Sequence, residues 1–163
     1  PCILYNVPGR TGCFIPVSVV ERLSKHPNIV GIKEASGDMS YAMKIARCVG
    51  PDFALYSGND DITVPLMSIG GSGVISVYAN EMPAMCHQIV DDYLHGRQDQ
   101  AVANHLKYLQ LMNDLFLEVN PIPVKTAMNL LGLNVGPMRL PLCEMSEANA
   151  AVLRATMEEA GLL

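Results

Sequence analysis

The chain has 163 residues, half of them apolar and 17% charged, with 11 Lys+Arg against 16 Asp+Glu for a formal net charge of −5. That composition supplies a sizeable core and excludes a disordered or collagen-like chain, and its scattered basic residues argue against a nucleic-acid or anionic-membrane partner. No apolar run reaches the ~18 residues of a membrane span, and five scattered cysteines without a C-x-x-C spacing fit reduced thiols in a cytoplasmic protein.

Cys2–Tyr5, Ile29–Lys33, Phe53–Ser57 and Gly73–Val77 are short apolar runs bounded by Gly, Pro or Asn. Continuous runs of this kind fit strands buried on both faces, as in a parallel sheet. Between them, Val19, Val20 and Leu23, then Ala42, Ile45, Ala46 and Val49, recur at helical spacing. A third segment, residues 60–69, contains Pro65, which disfavours a helix interior. A fourth, residues 84–95, puts Met85, Ile89 and Tyr93 on one stripe. Strand–helix alternation implies parallel strands joined by right-handed crossovers.

After Gly96 the strand runs stop. Val102, Leu106 and Leu109 predict a long helix, Val124, Ala127, Met128 and Leu131 a shorter one, and Ala148, Val152 and Ala155 a last one. Pro121, Pro123, Pro137 and Pro141 punctuate the connections, and Gly161 suits a C-terminal cap. The expected fold class is α/β, with four βα units in residues 1–95 and a helical region in residues 96–163. Four parallel strands fit an open doubly wound sheet or half of a (β/α)₈ barrel, since a closed barrel takes ~250 residues. The chain opens on Pro1 beside an apolar run, so it is read as part of something longer.

In either architecture, functional residues gather at the carboxyl ends of the strands. Lys33 ends the run Ile29-Val30-Gly31-Ile32. A lysine at the edge of a core loses hydration, which lowers its pKa and yields the neutral amine that attacks carbonyls. Taken alone, such a lysine more often snorkels to water. Tyr5 ends the first run, where a phenol can relay protons, although a half-buried structural tyrosine is the ordinary case. Arg10 lies in Pro8-Gly9-Arg10-Thr11-Gly12, where a guanidinium could grip a carboxylate bidentately; by itself it would pass for a surface arginine.

Together these segments resemble one family. Tyr5-Asn6-Val7-Pro8-Gly9-Arg10-Thr11-Gly12, Gly31-Ile32-Lys33-Glu34-Ala35-Ser36-Gly37-Asp38, Ser57-Gly58-Asn59-Asp60 and Gly70-Gly71-Ser72-Gly73-Val74-Ile75-Ser76-Val77 are similar to dihydrodipicolinate synthases. Asn120-Pro121-Ile122-Pro123-Val124-Lys125 and Met138-Arg139-Leu140-Pro141-Leu142 extend the resemblance along the chain. It implies the second half of a (β/α)₈ barrel followed by a C-terminal helical extension of about three helices. It also implies a class I aldolase in which Lys33 forms an imine with pyruvate and Tyr5 donates and relays protons. Arg10 would bind the carboxylate of aspartate semialdehyde, and Gly58 and Ile75 would line the pyruvate pocket, with Asn59 close by among the substrate-binding residues.

No cofactor and no metal are implied, and the parent protein is expected to be a homotetramer. Asn59 stands where the family often has aspartate, and Tyr78 where a small residue is common. The family's Thr-Thr relay pair, its cross-subunit tyrosine and most of its lysine feedback site belong to the barrel's first half, so this chain alone is expected to be inactive. Other pyruvate aldolases, such as N-acetylneuraminate lyase, share the Tyr and Lys positions but not the arginine turn. A non-catalytic half-barrel module is the remaining alternative.

Other motifs have plainer explanations. His26, His87, His95 and His105 lack metal-ligand spacing. Asp60-Asp61 fits a helix start. Gly70-Gly71-Ser72-Gly73 precedes a strand where a phosphate cradle would open a helix, and Met85, Met112 and Met128 read as core filler.

Overall fold

A computed structural model describes all residues 1–163, which divide into two compact units, Pro1–Ser76 and Val77–Leu163. The first carries the sheet: β1 (Cys2–Asn6), β2 (Ile29–Glu34), β3 (Ala54–Ser57) and β4 (Gly73–Val74), parallel and side by side in chain order. The connections contain α1 (Pro8–Thr11), α2 (Val17–Leu23), α3 (Met39–Ala46) and α4 (Thr63–Met67). The α/β class and the parallel sheet therefore stand as expected.

Alternation gives the sheet two different faces. Leu4, Ile32 and Leu55 are paired neighbours across three strands, and Ile32 and Leu55 join Val20, Tyr41, Ala42, Ile45, Phe53 and Leu66 in one core. One residue further along, Ile3 and Tyr5 are exposed on the opposite face. The segment around Pro65 splits into a 3₁₀ turn (Asp60–Ile62) followed by α4. There Pro65 is the third residue of its helix, within the first turn, whose N–H groups have no intrahelical acceptor to lose. The fourth strand is shorter than its apolar run, ending at Val74 instead of Val77.

The second unit contains a 3₁₀ turn (Tyr78–Asn80), α5 (Pro83–Leu94), α6 (Gln98–Lys107), α7 (Leu109–Asp114), α8 (Ile122–Leu130) and α9 (Glu147–Glu159). The long helix expected after Gly96 is two helices, broken at Tyr108 (φ −103°, ψ 8°). Its buried residues are Ala101, His105, Tyr108, Leu111, Met112 and Asp114, with Leu115 buried just beyond, while Val102 and Leu106 are exposed. On α5 the buried positions are Cys86, Ile89 and Asp92, one residue round from the expected Met85. On α9 they are Leu153, Thr156 and Met157, and Val152 faces water. Sparse apolar residues leave a helix's buried face to be chosen by its neighbours, here in part by a Thr156 Oγ1 bond to Asp114 Oδ2 at 2.5 Å. Glu118 Oε1 accepts from Ser146 and Asn149 at the start of α9, and these bonds hold its carboxyl below the usual carboxylate range. Gly161 takes φ +75° just past α9, as a helix stop requires. Tyr78 is fully buried, with its hydroxyl 3.1 Å from Met82 Sδ.

Candidate functional site

Parallel register brings the carboxyl ends of the first three strands to one level, pairing Tyr5 with Lys33 and Lys33 with Tyr56. Alternation then points all three side chains out of the same face. Lys33 Nζ lies 4.6 Å from the centroid of the Tyr5 ring. Partial burial lowers the Lys33 pKa from its ordinary value; the Asp60 carboxylate opposes that shift and the Arg10 guanidinium adds to it. The amine is therefore easier to deprotonate than that of a surface lysine, which is what a nucleophilic amine needs.

Gly58 makes this geometry possible. Its N–H donates to Glu34 O at 2.6 Å, drawing the end of β3 onto the end of β2. A Cβ placed there would lie 2.5 Å from Ala35 Cβ and 3.0 Å from Lys33 Cε. The lysine stem thus rests directly against this backbone.

Arg10 occupies the last turn of α1, the single helical turn that follows β1. Gly12 ends that turn in the left-handed region, φ +73°, with its N–H donating to Pro8 O at 2.9 Å. Arg10 is exposed, and its charge reaches Lys33. Asn59 lies on the loop after β3, where its backbone carbonyl accepts from Ser57 Oγ at 2.7 Å and its side-chain amide lies beside Gly37. Ile75 follows β4 directly, with its N–H donating to Ser57 O at 2.9 Å and its side chain 39% exposed. Tyr5, Lys33 and Gly58 thus converge within electrostatic reach of Arg10, and Asn59 and Ile75 flank them through Ser57.

Behind this face lies a second row absent from the expected site. Asn6, Glu34 and Ser57 are paired across β1, β2 and β3 and are each at most 1% exposed. Asn6 Nδ2 donates to Glu34 Oε2 at 2.7 Å, Ser36 N donates to Glu34 Oε1 at 2.6 Å, and Ile15 N donates to Asn6 Oδ1 at 2.9 Å. The Tyr41 hydroxyl donates to Ile15 O at 2.7 Å; burial, with Glu34 nearby, pushes its pKa up to about 12. Asp60, 3% exposed, and Tyr56 also belong to the neighbourhood of Lys33. The available signal was alternation: these polar residues continue the buried row Leu4, Ile32, Leu55 by one more step.

A cavity of about 640 Å³ lies at the opposite end of the strands, lined by Lys25, His26, Val30, Asp52 and Phe53 among others, well away from this convergence. No group of three or more His, Cys, Asp or Glu is placed to hold a metal. No helix is long and apolar enough to cross a membrane.

A family model described as the dihydrodipicolinate synthetase family matches residues 1–160. The 4-hydroxy-tetrahydrodipicolinate synthase of Clostridium perfringens (strain SM101 / Type A) is 50% identical over 163 residues, covering 100% of this chain and 56% of that protein. The enzyme of the same name from Thermoanaerobacter sp. (strain X514) is 52% identical, covering 100% of this chain and 55% of that protein. Among solved structures, dihydrodipicolinate synthase from Cyanidioschyzon merolae with lysine bound superposes with a TM-score of 0.95 at 42% identity, over 100% of this chain and 55% of that one. The chloride-inhibited enzyme from Acinetobacter baumannii complexed with pyruvate gives 0.95 at 39% identity, over 100% and 56%. The chain thus spans little more than half the length of the relatives it matches.

Proposed function

The chain belongs to the dihydrodipicolinate synthetase family, and from that membership we propose that the protein condenses pyruvate with aspartate 4-semialdehyde through a lysine imine. The observation that carries this reading is the partly buried Lys33 amine, of lowered pKa, 4.6 Å above the Tyr5 ring at the carboxyl ends of the strands. The neutral Nζ attacks the C2 carbonyl of pyruvate, and loss of water leaves an imine. The imine acidifies the methyl group, whose proton departs to give an enamine. The enamine carbon then attacks the aldehyde carbon of the semialdehyde, forming the new C–C bond. The semialdehyde's own amine displaces Lys33 from the imine carbon and closes the ring, giving 4-hydroxy-tetrahydrodipicolinate and the free lysine.

In this scheme Tyr5 passes protons to the carbonyl oxygens, a role its place against the amine supports. Arg10, exposed on α1 with its charge reaching the amine, receives the semialdehyde carboxylate with its planar fork. Gly58 leaves room for the lysine stem, and with Asn59 and Ile75 borders the pyruvate pocket. The architecture that goes with this reading is half of a (β/α)₈ barrel in residues 1–95, with residues 96–163 as its helical extension. The assembly is a homotetramer in the cytoplasm, a reducing compartment in keeping with five free cysteines.

The test is turnover by the complete gene product containing this chain. Consumption of pyruvate and semialdehyde with formation of the heterocycle supports the proposal. Pyruvate-dependent cleavage or condensation of an acyl-amino sugar, with no use of the semialdehyde, would move the protein to another pyruvate aldolase class.

A further inference from the structure

Glu34 is a buried carboxylate that the chemistry above does not use. It faces away from Lys33, on the core side of the sheet, and both its oxygens accept N–H bonds. The row it belongs to is a fixed relay between two backbone donors. Ile15 N donates into Asn6 Oδ1, Asn6 Nδ2 donates into Glu34 Oε2, and Ser36 N donates into Glu34 Oε1.

Backbone N–H groups cannot change direction, so the two side chains between them must present acceptors outward and share one donor inward. An amide paired with a carboxylate meets that requirement; two amides, or two carboxylates that are both ionised, do not. The relay ties three things into one frame: the carboxyl end of β1, which carries Tyr5; the carboxyl end of β2, which carries Lys33; and the segment that leaves α1, which carries Arg10. The Ile15 backbone is held at both its N–H, by Asn6, and its carbonyl, by the Tyr41 hydroxyl. A one-residue slip between β1 and β2 would turn Tyr5 away from Lys33, and the buried Asn6–Glu34 bond opposes such a slip from behind.

We propose that Glu34 is a positioning residue of this site, acting through Asn6 and the Ile15 peptide to hold Tyr5, Lys33 and the Arg10 turn in register. This inference rests on the imine chemistry proposed for Lys33. It concerns distance and orientation: a displacement of about 1 Å from a reactive geometry can cost roughly a hundredfold in rate.

The experiment exchanges the partners in the complete gene product and follows borohydride trapping of pyruvate per folded molecule, with melting curves for the folded fraction. Glu34→Gln sets two amides against each other, which no change of protonation relieves, and Asn6→Asp sets two carboxyl groups against each other, which match only by taking up a proton. Combining Asn6→Asp with Glu34→Gln restores every hydrogen bond with the middle one reversed. The amide introduced on β2 then donates to the carboxylate introduced on β1. That carboxylate still accepts from Ile15 N, and the amide oxygen still accepts from Ser36 N. Glu34→Gln should trap roughly tenfold to a hundredfold more slowly than the unaltered protein, as should Asn6→Asp at a pH where both carboxyls are ionised. The exchanged pair should recover to within about threefold of the unaltered protein. If a single variant fails to fold, the exchanged pair alone decides.

A Glu34→Gln variant that traps at the unaltered rate overturns the inference. So does an exchanged pair that fails to fold or traps as slowly as the slower single. A Glu34→Gln variant that keeps its rate but shifts the pH profile assigns Glu34 an electrostatic role and also overturns it. Absence of trapping in the unaltered protein would instead refute the imine chemistry.

Discussion

Adding one methyl group at Gly58 should injure both stability and imine formation. The new Cβ would lie 2.5 Å from Ala35 Cβ, 3.0 Å from Glu34 O and 3.0 Å from Lys33 Cε. Carbon atoms in contact normally keep about 3.5–4.0 Å, so Ala35 must retreat by about 1 Å. It cannot do so freely, because the Gly58 N–H bond to Glu34 O is already 2.6 Å long and ties the two strand ends together. Overpacking of this kind costs about 1–3 kcal/mol, which lowers the melting midpoint of the complete gene product. The lysine stem moves with the strand end, so pyruvate trapping should fall by roughly tenfold to a hundredfold beyond the loss of folded protein. Gly9→Ala is the control, since a Cβ there meets nothing within 4 Å, and it should lower neither quantity. Calorimetry and borohydride trapping on the two variants decide the matter. A Gly58→Ala protein that melts and traps like its parent would refute the close approach of β3 to Lys33.

Arg10→Ala should raise the Michaelis constant for aspartate semialdehyde by roughly tenfold to a hundredfold, the loss of a charge-assisted bidentate contact; steady-state kinetics in both substrates would refute this if only the pyruvate constant rises. Trapping needs the neutral amine, so its rate should rise with pH about a midpoint below that of an ordinary lysine. Asp60→Asn removes a charge that raises the Lys33 pKa and should move that midpoint to lower pH, whereas Arg10→Ala removes one that lowers it and should move the midpoint up; shifts of the opposite sign would contradict the electrostatics. Tyr41 has a folded pKa of about 12 against an ordinary 10.0, so the fold favours its protonated form. That preference is intact below about pH 10 and fades as pH climbs to about 12. Ultraviolet titration should show a late-titrating phenol that Tyr41→Phe removes. Expressed as these residues alone, the chain should self-associate, because β1 and β4 are sheet edges and Ile3, Tyr5, Val30 and Ile75 are exposed; a monodisperse monomer in sedimentation would refute this.

The strands were legible because continuous apolar runs with Gly and Pro boundaries leave little else to form, and β1, β2 and β3 lie within one residue of expectation at each end. The placement of Lys33 and Tyr5 side by side at the strand ends was legible for the same reason: each marks where an apolar run meets a polar loop. The helix faces of the second unit were harder. α6 carries apolar residues on both sides, and what covers Ala101 and His105 while leaving Leu106 in water is tertiary packing, which local spacing does not encode. The polar row of Asn6, Glu34 and Ser57 escaped notice because charged and amide side chains at strand ends usually face solvent. Only parallel register shows that their donors and acceptors match one another. Gly58 was singled out by resemblance, and its physical reason, contact with the Lys33 stem, is a matter of distance.

The most direct measurement is borohydride reduction of the complete gene product in the presence of pyruvate, followed by digestion and peptide mass spectrometry. The account predicts one added three-carbon acid on the peptide containing Lys33, and none when Lys33 is replaced by alanine. A label on Lys25, Lys44, Lys107 or Lys125, or no label at all, would contradict it.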